Sequence, residues 1–229
     1  MKILLIAATP FESDSVREHF SMHLEERGAV GIDSKSGNRI TLLHTGIGMV
    51  NTAWHFGREL QRERPDIAIQ FGIAGAFEGG PALVEVVELQ QDCFAELGAE
   101  SPSGFLPLET LGFANFRLGN QPFYNVLRQP ALPLEGLRQC KAISVNRISG
   151  TEEGIRRMEQ IWNPEVETME GAAFFQGCLI ENVPFRALRA ISNRVEPRNR
   201  EAWKLKEAVE AVQKELLFRL QRLETGEAL

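Results

Sequence analysis

The chain is short of the features that mark several large protein classes. Its 229 residues include only three cysteines, Cys93, Cys140 and Cys178, far apart and outside any CxxC or Cys/His cluster. That excludes a zinc signature of ordinary spacing, and so sparse and odd a count fits a reducing, cytoplasmic setting. No apolar run reaches the roughly 18 residues that a membrane span requires. The apolar stretch after Met1 ends near Ala8 and turns polar at Glu12, short of what a signal peptide needs. No Lys/Arg cluster forms a stripe and the net charge is −6, which argues against a partner that is nucleic acid. There is no GxxxxGK(S/T) stretch, and Gly46-Ile47-Gly48 lacks a third glycine at dinucleotide spacing. Neither a triphosphate loop nor a Rossmann cofactor site is therefore expected. His19 and His23, four apart on a predicted helix, find no third ligand, so no metal is expected either.

What is present suits a globular α/β protein. Hydrophobic residues make up 43% and charged residues 24% of the chain, enough for a sizeable core, and no domain break or repeat divides residues 1–229. Lys2 to Ala8 reads as a strand buried on both faces. Ile40 to His44 reads as another, and a helix comes next over about 47–64, closed by Pro65. On that helix Ile47, Val50 and Trp54, with Ala53, Gly57 and Leu60, form adjacent apolar rows that predict its buried face. Asp66 to Phe71 predicts a strand ending at Gly72-Ile73-Ala74-Gly75, parallel to the one before the helix. Further strands are predicted over 83–89, 141–148 and 184–192. Helices are predicted over 151–161, 170–182 and 203–223. Residues 97–136, rich in proline and punctuated by Phe105, Phe113, Phe116, Phe123 and Tyr124, read as a long excursion beside the site.

In open α/β sheets ligands collect beyond the carboxyl ends of strands. Four such ends carry polar or glycine-rich turns: residues 8–12, 45–48, 72–75 and 192–194. A fifth stretch, Thr168-Met169-Glu170-Gly171, opens a helix, where the dipole favours a carboxylate. Glu12, Glu170, Asn193, Met169, Thr168, Gly72 and Ile73 are thus the candidate site residues. Taken singly, each has an ordinary reading. A Glu near a strand end is usually solvated or ion-paired, a Glu at a helix start usually complements the dipole, a Met usually fills core and an Asn at a strand end usually forms a turn.

Five stretches change that weighting together: MKILLIAATPFE, TGIGMVNTA, FGIAGAF, VETMEGAAF and VPFRALRAISN, in this order over about residues 1–195. They resemble the nucleosidase branch of the nucleoside phosphorylase superfamily, the branch of methylthioadenosine/S-adenosylhomocysteine nucleosidase. The resemblance implies a three-layer α/β sandwich whose central sheet is mixed, largely parallel and twisted, with helices on its flanks. It implies a homo-oligomer without a cofactor that acts on a small purine nucleoside. It puts Glu12 at the water-activating carboxylate, Met169 under the sugar and Glu170 at the ribose hydroxyls. Such groups suit N-glycosidic cleavage. Positive charge builds on the sugar, its hydroxyls become more acidic, and bonds to a carboxylate strengthen in the transition state.

The departures from that pattern are specific. Asn193 stands where adenine-specific members carry Asp. Its amide offers a donor and an acceptor, which suits a 6-oxopurine; Thr151 or Glu153 could also read the base. Gln70 and Ile73 stand where phosphorylases hold phosphate with Arg and Ser, so hydrolysis is expected, although Ile73 leaves the holding of the water unexplained. Val84-Glu85 replaces a usual Gly-Asp. Finally Asn193, the tail Val195 to Arg200 and Thr151-Glu152-Glu153 narrow the resemblance to the futalosine hydrolase family of menaquinone biosynthesis. Those enzymes release hypoxanthine from a nucleoside whose far end is a benzoate. That carboxylate implies a cation, from Arg194, Arg198 or Arg200, with Arg198 taken as the contact. The alternative readings are a purine nucleoside phosphorylase and a methylthioadenosine/S-adenosylhomocysteine nucleosidase.

Overall fold

A computed structural model describes residues 1–25, 28–32, 37–113, 117–118, 121–122 and 124–224. Phe116 and Phe123 of the predicted excursion lie outside them. The strands are β1 (Lys2–Ala7), β2 (His23–Glu25), β3 (Gly28–Ile32), β4 (Arg39–His44), β5 (Ile67–Ala76), β6 (Val86–Cys93), β7 (Gly98–Ser101), β8 (Gly104–Pro107), β9 (Arg117–Leu118), β10 (Gln121–Pro122), β11 (Val126–Arg128), β12 (Arg138–Ser144), β13 (Val166–Thr168) and β14 (Phe185–Arg194). The helices are α1 (Asp14–His19), α2 (Met49–Arg62), α3 (Glu152–Trp162), α4 (Gly171–Glu181) and α5 (Leu205–Glu224).

Strand alternation in β1 builds two cores at once. Leu4 and Ile6 face one side, where they join Phe56 of α2 and Phe174 of α4. Ile3, Leu5 and Ala7 face the other, where they join Ala208, Val212, Leu216 and Leu220 of α5. Helices thus flank a central mixed sheet, as expected. Helix α4 approaches α2 closely because Gly177 has no side chain: a Cβ there would stand 2.9 Å from the Phe56 ring.

Three details differ from expectation. First, β4 and β5 are parallel but not neighbours; β1 lies between them and pairs with both. Second, β5 does not stop at Phe71 but runs on through the glycines to Ala76, because β14 pairs with it along its whole length. Third, the mixed sheet is not an open sandwich layer. Besides the parallel pairs, β14 runs antiparallel to β6, and β13 antiparallel to β5. Since β6 and β13 also both pair with β12, the strands β5, β14, β6, β12 and β13 close into a ring rather than an open layer.

One consequence positions the site. The first half of β5 pairs with β1 as far as Gln70, and its last residues pair with β13 from Gly75 onward. Between them β5 changes partner, and the sheet splits. A split of this kind is where α/β proteins hold ligands.

Of the face expected to bury α2 only Leu60 is buried, and the rest is exposed. Val50 and Trp54 are 77% and 64% exposed, and the buried row is Thr52, Phe56 and Leu60. Periodicity counted the more numerous apolar residues, but α4 offers a bed only to Phe56 and its row. His19 and His23 do not share a helix, since α1 ends at His19 and His23 begins β2. Among the described residues no cluster of three potential metal ligands occurs, and no helix is long and apolar enough to cross a membrane. The three cysteines are buried and free.

Candidate active site

The split in the sheet opens into a cavity of about 270 Å³, whose lining includes Glu12, Ile73, Met169, Glu170, Asn193 and Arg198. Residues from the chain's beginning, middle and end thus share one hollow. Glu12 and Glu170, which had to converge for the predicted chemistry, do so.

Glu12 ends a short 3-10 turn, Pro10–Glu12, directly after β1. Its Oε2 accepts from the Thr9 backbone amide at 3.0 Å and the Thr9 hydroxyl at 3.1 Å. Its Oε1 accepts from the Ile73 backbone amide at 3.2 Å. That amide lies in the stretch of β5 that has left β1 and not yet met β13, so Glu12 takes up a donor that the sheet leaves open. Gly72 does not line the cavity. It backs Glu12 so closely that a Cβ there would stand 2.6 Å from Oε1. A side chain at 72 would push the carboxylate away.

Glu170 sits at the N-cap position of α4, at the end of the loop leaving β13. Its Oε1 accepts from the Gly48 amide at 2.8 Å. Gly48 has φ +94°, a backbone that favours glycine, which explains the glycine-rich turn before α2. Burial pushes the Glu170 carboxyl up, while the Gly48 amide and then the Arg189 guanidinium pull it back and Glu12 adds to the rise. Two acidic groups within electrostatic reach of each other are normal where charge is to be handled.

Arg189 was not singled out from the sequence. It is 2% exposed, and Glu170, Asp92 and Glu12 all act on it to favour its charge against burial. Its Nη2 donates to Gln70 Oε1, and its Nη1 to the Leu188 carbonyl. An arginine flanked by apolar residues in FRALRAISN (185–193) was a readable signal, because a buried cation demands buried partners. Glu167 of β13, which also lines the cavity, was missed as well.

Several expected contacts are placed elsewhere. Thr168 comes directly after Glu167 on β13, so alternation turns it away from the cavity. Its hydroxyl lies 3.1 Å from Asp92 Oδ2 and 2.8 Å from the Ser144 hydroxyl. This network also takes up the Ala172 amide at the start of α4 and thereby braces Glu170. Burial raises the Asp92 carboxyl to about 6, against the pull of Ser144 and the Cys93 amide. Thr151 and Glu153 do not reach the cavity. Thr151 caps α3 by accepting from the Gly154 amide, and both are exposed in that first turn. Asn193 is held by its neighbours: its Oδ1 accepts from the Ser192 hydroxyl at 2.8 Å and its Nδ2 donates to the Arg194 carbonyl at 2.9 Å. One Nδ2 proton remains for a ligand. Of the three candidate arginines, Arg194 is tied to the Pro81 carbonyl. Arg198 stands with its Cζ 5.8 Å from the centre of the Trp203 ring, and both line the cavity. Arg200 also lies over that ring, at 5.9 Å.

No protein-family model matches the chain. Individual relatives do. The chain is 35% identical over 182 residues to futalosine hydrolase of Thermus thermophilus, covering 77% of this chain and 79% of that relative. Its fold superposes on the native structure of futalosine hydrolase of Helicobacter pylori with a TM-score of 0.79 at 16% identity, over 97% of this chain and 98% of the other. It also superposes on a 5′-methylthioadenosine/S-adenosylhomocysteine nucleosidase of S. pneumoniae, with a TM-score of 0.78 at 20% identity, over 97% and 100% of the two chains.

Proposed function

This chain belongs to the futalosine hydrolase family, and on that premise we propose that Glu170, Glu12 and Asn193 serve the sugar, the water and the base of one bound nucleoside. The chain is a nucleosidase: it hydrolyses the N-glycosidic bond of a 6-oxopurine nucleoside, futalosine, and releases hypoxanthine. The observation that carries the residue assignment is the shared cavity of Glu12, Glu170 and Asn193.

The bond between C1′ and the base breaks as the base takes up the electron pair and a proton from solvent, and a water oxygen bonds to C1′ as that water gives its proton to Glu12. Glu170, whose burial-driven rise the Gly48 amide and Arg189 oppose, accepts from the ribose hydroxyls as the sugar becomes cationic. Met169 packs beneath the sugar. Glu12 orients the water and takes its proton. The puzzle of Ile73 resolves on this reading, because position 73 serves Glu12 through its backbone amide and needs no hydroxyl. Gln70 spends its side-chain oxygen on Arg189, and as a neutral amide it offers little to a phosphate dianion. The cavity's outer end, with Arg198 beside Trp203, suits an aromatic carboxylate: the ring stacks and the guanidinium pairs with the acid.

We also infer a homo-oligomer. Ile47 is 57% exposed, lines the cavity and continues outward into Val50 and Trp54 on α2. An apolar stripe that begins inside a substrate cavity and runs onto an open helix face suits a second copy of the chain.

The deciding experiment measures hypoxanthine release from futalosine with and without phosphate. Release without phosphate is expected, and strict phosphate dependence would remove the hydrolase reading in favour of a phosphorylase. In the same assay Arg198→Met raises KM for futalosine several-fold. An unchanged KM would discard Arg198 as the carboxylate contact.

A further inference from the structure

Glu167 and Asn193 stand on either side of Gly75. In strand register Glu167 of β13 is opposite Gly75 of β5, and Gly75 is opposite Asn193 of β14. The three form one rung across three strands, and residues of one rung present their side chains to the same face. Neighbouring strands lie about 4.8 Å apart, so the outer two Cβ atoms stand on the order of 10 Å from each other. The middle position is bare. A Cβ on Gly75 would stand 3.1 Å from Asn193 Nδ2 and 2.9 Å from Val195. All three residues line the cavity. The result is a flat floor with one polar group at each end, wide enough for the edge of a purine.

The two ends are of opposite kind. Asn193 keeps one Nδ2 proton to give. Glu167 is nearly buried and accepts from the Ser149 amide at 3.0 Å and the Ser149 hydroxyl at 2.6 Å. Burial pushes its carboxyl up and the Ser149 bonds oppose that rise. A carboxylate has about four lone-pair sites, so acceptor capacity remains. The edge of a 6-oxopurine presents acceptors at N7 and O6 and a donor at N1–H. A 6-aminopurine presents lone pairs at N7 and N1 with the N6 donor between them. With Asn193 at the N7 end, an acceptor that reaches N1 meets a donor in the first and a lone pair in the second.

We infer that Glu167 is a specificity-determining residue that accepts the N1–H of the base while Asn193 donates to O6 or N7. This rests on the reading of the cavity as a nucleoside site. The ordinary alternative is that Glu167 only ties the Ser149 loop to β13.

The test measures binding of hypoxanthine, 1-methylhypoxanthine and adenine to the wild-type protein and to Glu167→Gln. The wild type is expected to bind hypoxanthine at least tenfold more tightly than either other base. Ser149 donates to both oxygens of Glu167, so in the variant it keeps one oxygen as acceptor, and an Nε2 donor stands in place of the other. Hypoxanthine should then weaken tenfold or more, while adenine, whose N1 accepts, does not. Wild-type protein that binds 1-methylhypoxanthine as tightly as hypoxanthine would overturn the assignment, even if the variant failed to fold. So would an unchanged ratio of hypoxanthine to adenine affinity in a folded variant. Wild-type protein that binds none of the three bases would instead overturn the nucleoside-site reading beneath it.

Discussion

The backbone amide of Ile73 donates to Glu12 Oε1 at 3.2 Å, joining a strand interior to a turn that lies 61 residues earlier in the chain. The carboxylate is thereby fixed through both oxygens, since Thr9 holds the other. A fixed carboxylate has little freedom left to lose on binding water, which favours its use as a base.

Glu12→Gln keeps the shape and removes the proton acceptor. Turnover should fall by roughly 10²–10⁴-fold, the usual worth of a general base, with nucleoside affinity largely kept. Steady-state kinetics and equilibrium binding on the same sample check this. Equal turnover would remove Glu12 from the mechanism.

Arg189 is the buried cation that opposes the burial-driven rise of the Glu170 carboxyl. Taking the cation away favours the protonated acid, so the carboxyl rises further. In Arg189→Gln the acidic limb of kcat/KM moves to higher pH, and Arg189→Lys returns it part of the way. A limb that stays in place in a folded variant would show that Arg189 is structural only.

Asn193→Asp places a carboxyl oxygen where Nδ2 now donates to the Arg194 carbonyl at 2.9 Å. An ionised oxygen would face that carbonyl unfavourably, so the acid stays protonated or turns away. Cleavage of 6-oxopurine nucleosides should weaken relative to 6-amino ones, read as the ratio of kcat/KM values. An unchanged ratio would mean that other groups read the base.

Val84 has φ +67°, in the left-handed region where a β-branched residue is strained. This is the position at which relatives were expected to carry glycine. Val84→Gly should raise stability by roughly 1 kcal/mol, the relief of strain being partly offset by glycine's chain entropy. A denaturant midpoint that does not rise would count against it.

Trp54→Glu tests the oligomer. A charge at the outer end of the exposed α2 stripe should shift sedimentation toward a lighter species than the wild type, with the fold unchanged by circular dichroism. A wild type that sediments as a monomer would end that proposal.

Much of the fold was legible because its signals are local. β1 announces itself as an apolar run, and Pro65 closes α2 near where it should. The helix predicted over 203–223 is α5, and its apolar residues Ala208, Val212, Leu216 and Leu220 are buried. The α2 face was misread because apolar periodicity does not say which partner a stripe meets. The short β13 has no sequence signal of its own beyond Thr168, which reads as leading into the next helix, since three residues carry too little pattern to mark a strand. Thr151 and Glu153 were plausible by proximity in sequence to a strand end, yet α3 turns them to solvent.

Within the site, the residue types that can do the chemistry were visible in the chain itself: two carboxylates beside strand ends, an amide where an acid was usual, and glycines where close approach was needed. These stem from covalent structure and short-range backbone preference. Which of them meet was decided only by tertiary pairing. β5 exchanges β1 for β13 partway along, and that exchange opens the hollow, turns Thr168 away, and sets Glu167 and Asn193 astride Gly75. Strand register depends on contacts between segments about 90 and 120 residues apart, and no local property of either segment contains it.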